Sequence, residues 1–455
     1  MEAKMVNHDE EKHPMEAVTF YDTSKPDFPQ DFKMIDSFFS VYRLLFTIIF
    51  TANLGTFVGF VIRTRGAPSL FDVGNATSAN LMVSILFRQE HFVNLIYEIF
   101  TCAPHSMPLS VRRGLTKVFH YGGVHSGCGT AATVWYLLFT VIATKDFVER
   151  PSRETIANLV TTYILITMLL GILVAAHPWF RSMFHDHFEV THRFAGWTAL
   201  VVFWIHTFLT AESARKMAGE SLGSNIAKTP GFWFLLVSTI CILGSWSPTK
   251  QREVFPERLS DHAIRLRFKY RKIRPFCGVR VSDNPLLEWH AFATIPDSDE
   301  TGYSFVVSNA GDWTNRIIMD PPKKLYIRGS PLRNLLYGSR LFTRIILVAT
   351  GSGIGPCLSL MYANLTPRRI FWSTANPEVT YGPGIMETVR QSDAEAVIWD
   401  TRRQGRPDMV AITHQLYMEF QAEAIFIIAN PKVTRKVVYG MESRGIACYG
   451  AIFDS

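Results

Sequence analysis

Two histidines, His192 and His206, stand 14 residues apart in the run THRFAGWTALVVFWIH. On an α-helix that separation is just under four turns, so both imidazoles lie near one face, about 21 Å apart along the axis. Nearly everything between them is Ala, Val, Leu, Phe, Trp or Ile. An ionisable group inside an apolar helix is costly and usually functional. Imidazole is also a common axial ligand of haem iron. These types at this spacing suit an electron path along one wall of a membrane helix bundle. The plain alternative is a pair of histidines at the two ends of a span. A second chemical stretch is ATGSGIGP, Ala349 to Pro356. It follows an apolar strand-like run and opens a helix. Its glycines permit close backbone approach, and a helix N-terminus offers N–H groups and positive dipole to phosphates. The alternative there is a tight turn with no ligand.

The chain must supply elements to hold these residues. It has 455 residues, 48% of them hydrophobic and 19% charged, with a net charge of +7. The apolar excess is concentrated between about 37 and 246. Six apolar segments are expected as membrane helices of about 20 residues each, near 37–62, 79–103, 115–142, 156–176, 190–211 and 230–246. Arg88, Glu90 and His91 interrupt the second. Basic residues cluster beside these segments, at Arg112, Arg113 and Lys117, at Arg181 and Arg193, and at Lys250 and Arg252. That is the positive-inside pattern, not a nucleic-acid footprint. It places both termini in the cytosol, with residues 1–36 a polar cytosolic tail. The sequon Asn75-Ala76-Thr77 then falls in an outward loop as a glycosylation site. Six scattered cysteines without CxxC spacing indicate neither a zinc site nor a disulfide framework.

Beyond 258 the texture changes to short alternating strands, and from 343 to strand, glycine turn and helix. The expected organisation is a helical membrane domain over 37–250, an antiparallel β-barrel over 258–335 and a doubly wound α/β domain over 336–455.

Particular motifs carry a resemblance. Gly351, Ser352, Gly353, Gly355 and Pro356 form a TGSGIGP turn. Gly311-Asp312-Trp313-Thr314 is a GDWT segment. Residues 289–294 read WHAFAT, and Phe453 lies near the C-terminus. In these the chain resembles the ferredoxin–NADP reductase superfamily in the membrane-bound arrangement of ferric reductases and NADPH oxidases. Within it the chain is similar to fungal integral membrane proteins of the TmpA type. The resemblance implies a nicotinamide nucleotide, NADP or NAD, at Gly351–Pro356. It implies FAD held by His290, Phe292, Thr294, Gly311, Asp312, Trp313 and Thr314, with Phe453 stacking on the flavin. The chain departs from the family pattern in three places. Ala291 and Ala293 stand where the flavin motif has Pro and Thr. Ala429-Asn430-Pro431 stands where a CGP segment is usual, and Arg328-Gly329-Ser330-Pro331 where a DGPYG-like turn is usual.

The same resemblance implies two histidines on each of two helices, holding stacked haems. His192 and His206 meet the spacing on one helix. The third helix offers His120 and His125, but 14 positions beyond them stand Val134 and Phe139. One haem b is therefore expected, held by His192 with His120 or His125, while His206 lacks a partner.

The function expected is a multi-pass oxidoreductase of the plasma membrane or an endomembrane. It would pass electrons from NAD(P)H through FAD to a haem or another acceptor near the membrane. The rival is a non-catalytic membrane sensor or scaffold that retains the fold, motivated by Ala291, Ala293 and Ala429. Arg368, Arg369, Arg402 and Arg403 are the candidates to contact a nucleotide 2′-phosphate.

Overall fold

The computed structural model describes residues 40–150, 155–218, 221–297 and 301–450. The expected tail, 1–36, and Phe453 lie outside them. The first half is helical: α1 Val41–Arg63, α2 Leu70–Leu86, α3 Glu90–Thr101, α4 Leu109–Thr116, α5 Gly122–Glu149, α6 Ile156–Ala176, α7 Pro178–Met183, α8 His185–Ala218, α9 Leu222–Lys228 and α10 Pro230–Trp246. Side-chain caps start several of these. Ser69 accepts from the backbone of Asp72 at α2, and Thr155 from Asn158 at α6. Pro230 opens α10, where a missing N–H costs nothing. Among the described residues, four helices are long and apolar enough to cross a membrane, and up to six if each bent pair is one span.

The second expected span differs from the structure. It is α2 joined to α3 across a 73° bend, with the polar residues Arg88 and Gln89 at the elbow. Helix α3 leaves the bundle and buries Val93, Tyr97 and Thr101. The sequon is displaced with it. Asn75 sits on α2 rather than in a loop, and its side-chain oxygen accepts the Gly231 N–H at 2.9 Å. The surface loop expected to present it is not there.

Close backbone approach fixes the bundle. A Cβ at Gly123 would lie 2.4 Å from the Tyr42 carbonyl oxygen, and one at Gly127 3.0 Å from Ile49. Small residues at such crossings let helix backbones approach closely.

Eight strands follow: β1 Lys250–Glu253, β2 Phe255–Arg258, β3 Ala263–Phe268, β4 Cys277–Ser282, β5 His290–Ala293, β6 Ile295–Pro296, β7 Tyr303–Ser308 and β8 Lys324–Arg333. They form two antiparallel four-stranded sheets, ordered β1-β8-β4-β5 and β2-β3-β7-β6. Alternating inward residues, Ile264, Leu266 and Phe268 against Tyr303, Phe305 and Val307, fill the space between them. The β region starts at 250, earlier than the expected 258, because Lys250–Arg258 pair as two short edge strands. Helix α11, Asp312–Met319, closes the end near β7.

The last part is a five-stranded parallel sheet: β9 Ile345–Thr350, β10 Arg368–Thr374, β11 Val397–Asp400, β12 Ala424–Ile428 and β13 Cys448–Gly450, in the order β11-β10-β9-β12-β13. β9, β10 and β12 are buried runs rather than alternating ones, as a sheet covered on both faces requires, while the edge strand β11 is half-buried. The main covering helices are α12 Ile354–Ala363, α14 Pro383–Ser392, α16 Met409–Phe420 and α17 Pro431–Glu442; the short α13 Pro377–Tyr381 and α15 Thr401–Gln404 lie in connections.

Helical and sheet parts share a core. Val93, Tyr97 and Val118 are buried in the same cluster as Leu347, Phe426 and Tyr449. Arg112 and Arg113, read from sequence as topology signals, lock that junction. Arg112 grips Glu423 through two hydrogen bonds of 2.9 and 3.0 Å and donates to the Leu341 carbonyl at 2.7 Å. Arg113 donates to the Glu423 carbonyl at 3.0 Å.

Candidate functional site

The glycine turn leaves the carboxyl end of β9, the first strand of the parallel sheet. The strand order reverses between β9 and β12, and open α/β sheets bind ligands outside the carboxyl ends at such a reversal. Gly351 takes a left-handed φ of 51°, and its carbonyl accepts the Trp372 indole N–H at 3.0 Å. A Cβ at Gly353 would sit 2.1 Å from the Ile428 carbonyl oxygen, so only glycine fits against β12. Ser352 is exposed, and Pro356 lies within the first turn of α12. A Cβ at Gly355 would touch Val306 of β7 at 3.6 Å, so this turn abuts the barrel. Across the reversal, Asn430 caps α17 and Pro431 opens it. These features fit a pyrophosphate at the helix start.

The arginines divide clearly. Arg368 and Arg369 begin β10, at the opposite end of the sheet. Arg368 is buried on Ser392 and Asn364, and Arg369 pairs with Asp393 and Glu395. Neither reaches the nucleotide end. Arg402 and Arg403 follow β11 at the carboxyl edge, beside Asp400, and keep that position.

On the barrel, the His290 ring stacks on Trp313 at 3.9 Å between centroids. Trp313 is buried, and its indole donates to Asp283 at 3.2 Å. Arg316 donates to the same carboxylate at 2.6 Å. Burial works against the Asp283 charge, but Trp313 and Arg316 hold the carboxyl below its usual range. Thr314 accepts the N–H groups of Ala310 and Gly311 at 2.8 and 3.0 Å, fixing the start of α11 next to Asp312. His290, Gly311, Asp312, Trp313 and Thr314 are thus brought together, and they suit the phosphate end of a flavin nucleotide.

The flavin-ring end is different. Phe292 turns inward and stacks on Phe305 at 4.7 Å. Thr294 is fully buried, and both its N–H and its hydroxyl donate to the Cys277 carbonyl, at 2.8 and 3.0 Å. The expected contact of Thr294 with a flavin is corrected: it closes the barrel. The Gly329-Ser330-Pro331 turn is also engaged elsewhere, Ser330 on His91 at 3.0 Å and the Pro331 carbonyl on Asn94 at 2.9 Å.

In the bundle, the structure brings His125 to His192, with ring centroids 6.2 Å apart. The His125 Nδ1 lies 2.9 Å from the Ser84 carbonyl and 3.0 Å from the Ser84 hydroxyl. An Nδ1–H donated to that carbonyl leaves Nε2 bare, the arrangement that orients a metal-binding imidazole. The Nδ1 of His192 is buried with no hydrogen-bond partner among the described residues. Two imidazoles on opposite sides of one metal have centres about 6 Å apart, given metal–nitrogen bonds of about 2 Å. Among the described residues no three His, Cys, Asp or Glu side chains gather as a metal site.

The other two histidines do not join them. His120 precedes α5 and lies on Phe119 at 4.0 Å. His206 bonds through Nδ1 to the Thr161 hydroxyl at 2.9 Å, and Phe139 packs edge-on against it at 5.4 Å. Phe139 holds the place a facing ligand would need. The expected ligand roles of His120 and His206 are corrected accordingly.

Sequence reasoning missed the joint between bundle and barrel. Glu90 is buried, accepting from Arg280 at 2.9 Å and Ser245 at 2.6 Å. Gly329, with φ 70°, passes so close that a Cβ would lie 2.7 Å from the Glu90 carboxylate. Beside it, Arg328 lies between Trp246 and Trp289, at 4.1 and 4.8 Å, and burial pulls its guanidinium down to about 9. A carboxylate in an apolar segment was the available signal.

Residues 335–455 match the family model described as the C-terminal domain of adenylate-forming reductase 03009. Over 420 residues the chain is 42% identical to adenylate-forming reductase 03009 of Coprinopsis cinerea, covering 92% of this chain and 40% of that protein. Adenylate-forming reductase 06235 of the same organism matches with the same figures. The chain thus spans 40% of the length of these curated relatives. Among solved structures, it is similar to a ferredoxin NADP+ reductase from Neisseria gonorrhoeae with bound FAD and NADP. That match is 12% identical and covers 44% of this chain and 98% of the other, with a TM-score of 0.37. CYP116B46 from Tepidiphilus thermophilus matches at 16% identity, over 44% of this chain and 28% of the other, with a TM-score of 0.37.

Proposed function

We propose that this chain is a membrane-embedded, NAD(P)H-linked flavin oxidoreductase. The observation that carries the reading is the glycine turn at the strand reversal, closed to any side chain at Gly353 and abutting the barrel through Gly355. Gly351, Gly353 and Gly355 would hold the nucleotide pyrophosphate, with Arg402 or Arg403 beside its ribose. His290 and the α11 start would hold FAD phosphates. A bound flavin supplies two-electron acceptance from a nicotinamide and one-electron release. His125 and His192 would hold one haem b. The word reductase in the relatives' names fits this stretch; the adenylate-forming part of those names is assigned to none of the residues described above.

The proposed setting is a multi-pass protein of the plasma membrane or an endomembrane, its sheet domains in the cytosol. The acceptor would be met on the nucleotide side rather than across the bilayer, a reading supported by Phe139 and Thr161 packing on His206. A second reading, a sensor or scaffold without turnover, draws support from the spent Thr294 hydroxyl and from Ala293. Absorption spectra of purified protein, before and after NADPH, separate the two. Flavin and Soret bands that change on NADPH addition support the first. A protein with bound nucleotide whose spectrum stays unchanged supports the second.

A further inference from the structure

The turn between β4 and β5 carries two leucines where a water-exposed turn favours polar residues. Leu286 and Leu287 are 56% and 54% exposed. Their backbone is held firmly. The Ser282 hydroxyl donates to the Asn284 carbonyl at 2.7 Å, the Asn284 side chain accepts the Leu286 N–H at 3.2 Å, and Trp289 donates to the Pro285 carbonyl at 3.0 Å. The leucines are therefore presented outward by a built turn.

Arg193 sets the position of this turn. Its Nη1 donates to the Leu286 carbonyl at 2.9 Å and to that of Leu287. Arg193 is buried on α8, and its cation lies 5.5 Å from the Trp246 ring at the end of α10. Trp197 meets Trp246 edge-on at 4.8 Å. The continuous apolar run of α8 begins at Phe194, so Arg193 stands at its edge. Trp and Arg at the ends of apolar helices mark the level where hydrocarbon meets headgroups. The acidic flanks of the turn do not oppose this placement, since Arg316 pairs with Asp283 at 2.6 Å and approaches Glu288 at 3.9 Å.

We propose that Leu286 and Leu287 insert into the cytosolic leaflet of the lipid bilayer, seating the barrel on the membrane. This rests on the membrane reading above. The turn runs directly into His290, so the seat fixes the height of the flavin segment relative to the bundle. Neither leucine has been placed in the binding machinery.

The test places an environment-sensitive NBD dye on Leu286→Cys or Leu287→Cys in the full chain, with Cys102→Ser and Cys241→Ser removing the exposed and half-buried thiols. The protein is reconstituted in phosphatidylcholine nanodiscs with doxyl-labelled lipid. Two reference sites frame the result: Val141→Cys on the outer face of α5, and Met319→Cys on the barrel, 64% and 63% exposed. Dye at 286 or 287 should lose about half its emission to doxyl lipid and resist aqueous iodide, as at 141 and unlike 319. Iodide quenching at 286 and 287 with lipid quenching at 141 overturns the inference alone. Iodide quenching at 141 as well overturns the membrane reading. Protection from both quenchers at 286 and 287 indicates a protein partner and also overturns the inference.

Discussion

His192 and His206 share one helix and one face, yet only one of them is available for chemistry. His192 faces His125 at 6.2 Å with an unpartnered nitrogen, while His206 is occupied by Thr161 and closed in by Phe139. The difference comes from the facing helices. On α5 the residue opposite is a histidine at one level and a phenylalanine at the other. A spacing on one helix names a candidate, and its neighbours decide whether the candidate is free.

The largest expected effect tests that contrast directly. On the proposed haem reading, His125→Leu or His192→Leu should lower the Soret absorbance of purified protein more than about tenfold. His206→Leu should leave the Soret band intact. Equal loss from all three variants would break the comparison.

A charge with a fitted partner extends it to the domain junction. Arg112, with its two hydrogen bonds, outweighs burial and holds the Glu423 carboxyl down to about 2, against an ordinary 4.5. A depressed carboxylate contributes stability that is present above 4.5 and is lost as pH falls from 4.5 towards 2. Thermal melts of the parent protein should decline through that window. Glu423→Gln should lose about 3 kcal/mol at neutral pH, because Arg112 is left buried and uncompensated. It should also show a flatter acid profile. An unchanged melting temperature would remove the junction role.

Gly353→Ala tests the nucleotide turn. Its methyl would lie 2.1 Å from the Ile428 carbonyl oxygen, forcing the turn from β12. NADPH affinity, read by calorimetry, should fall about tenfold, near 1.4 kcal/mol. Glycine freedom matters there for space, not for φ.

Much of this was legible in the sequence and some was not. The parallel sheet showed as apolar strand runs bounded by glycine and proline. The barrel showed as alternation, except for Lys250–Arg258, whose exposed edge strands carry no inward stripe. The elbow at Arg88–Gln89 was visible only as charge within an apolar segment, and hydropathy shifted that span from 70–86 to 79–103. Arg112 and Arg193 were ambiguous because each satisfies the positive-inside pattern, and Glu90 because it reads only as a break in an apolar segment, while their partners, Glu423, the Leu286 carbonyl and Arg280, are distant in sequence. Partner identity across such distances is set by packing, which a linear pattern does not carry.

The smallest expected effect concerns two neighbours in one strand. Successive side chains of β5 point to opposite faces. Thr294 follows β5 and is buried on Cys277, while Ala293 points the other way and is half-buried. The hydroxyl a flavin ring would meet is therefore absent from the face where it is needed and present on the face where it is not. Ala293→Thr places it on the outward face without disturbing Thr294. One added hydrogen bond is worth about 1 kcal/mol, so FAD affinity should rise about fivefold. Thr294→Val should leave FAD affinity within about twofold while lowering the melting temperature, since it strips a bond from the barrel alone. Flavin fluorescence titration of both variants decides the matter. A gain from Ala293→Thr with no loss from Thr294→Val assigns the two faces as described. A loss of affinity from Thr294→Val returns that hydroxyl to the flavin site.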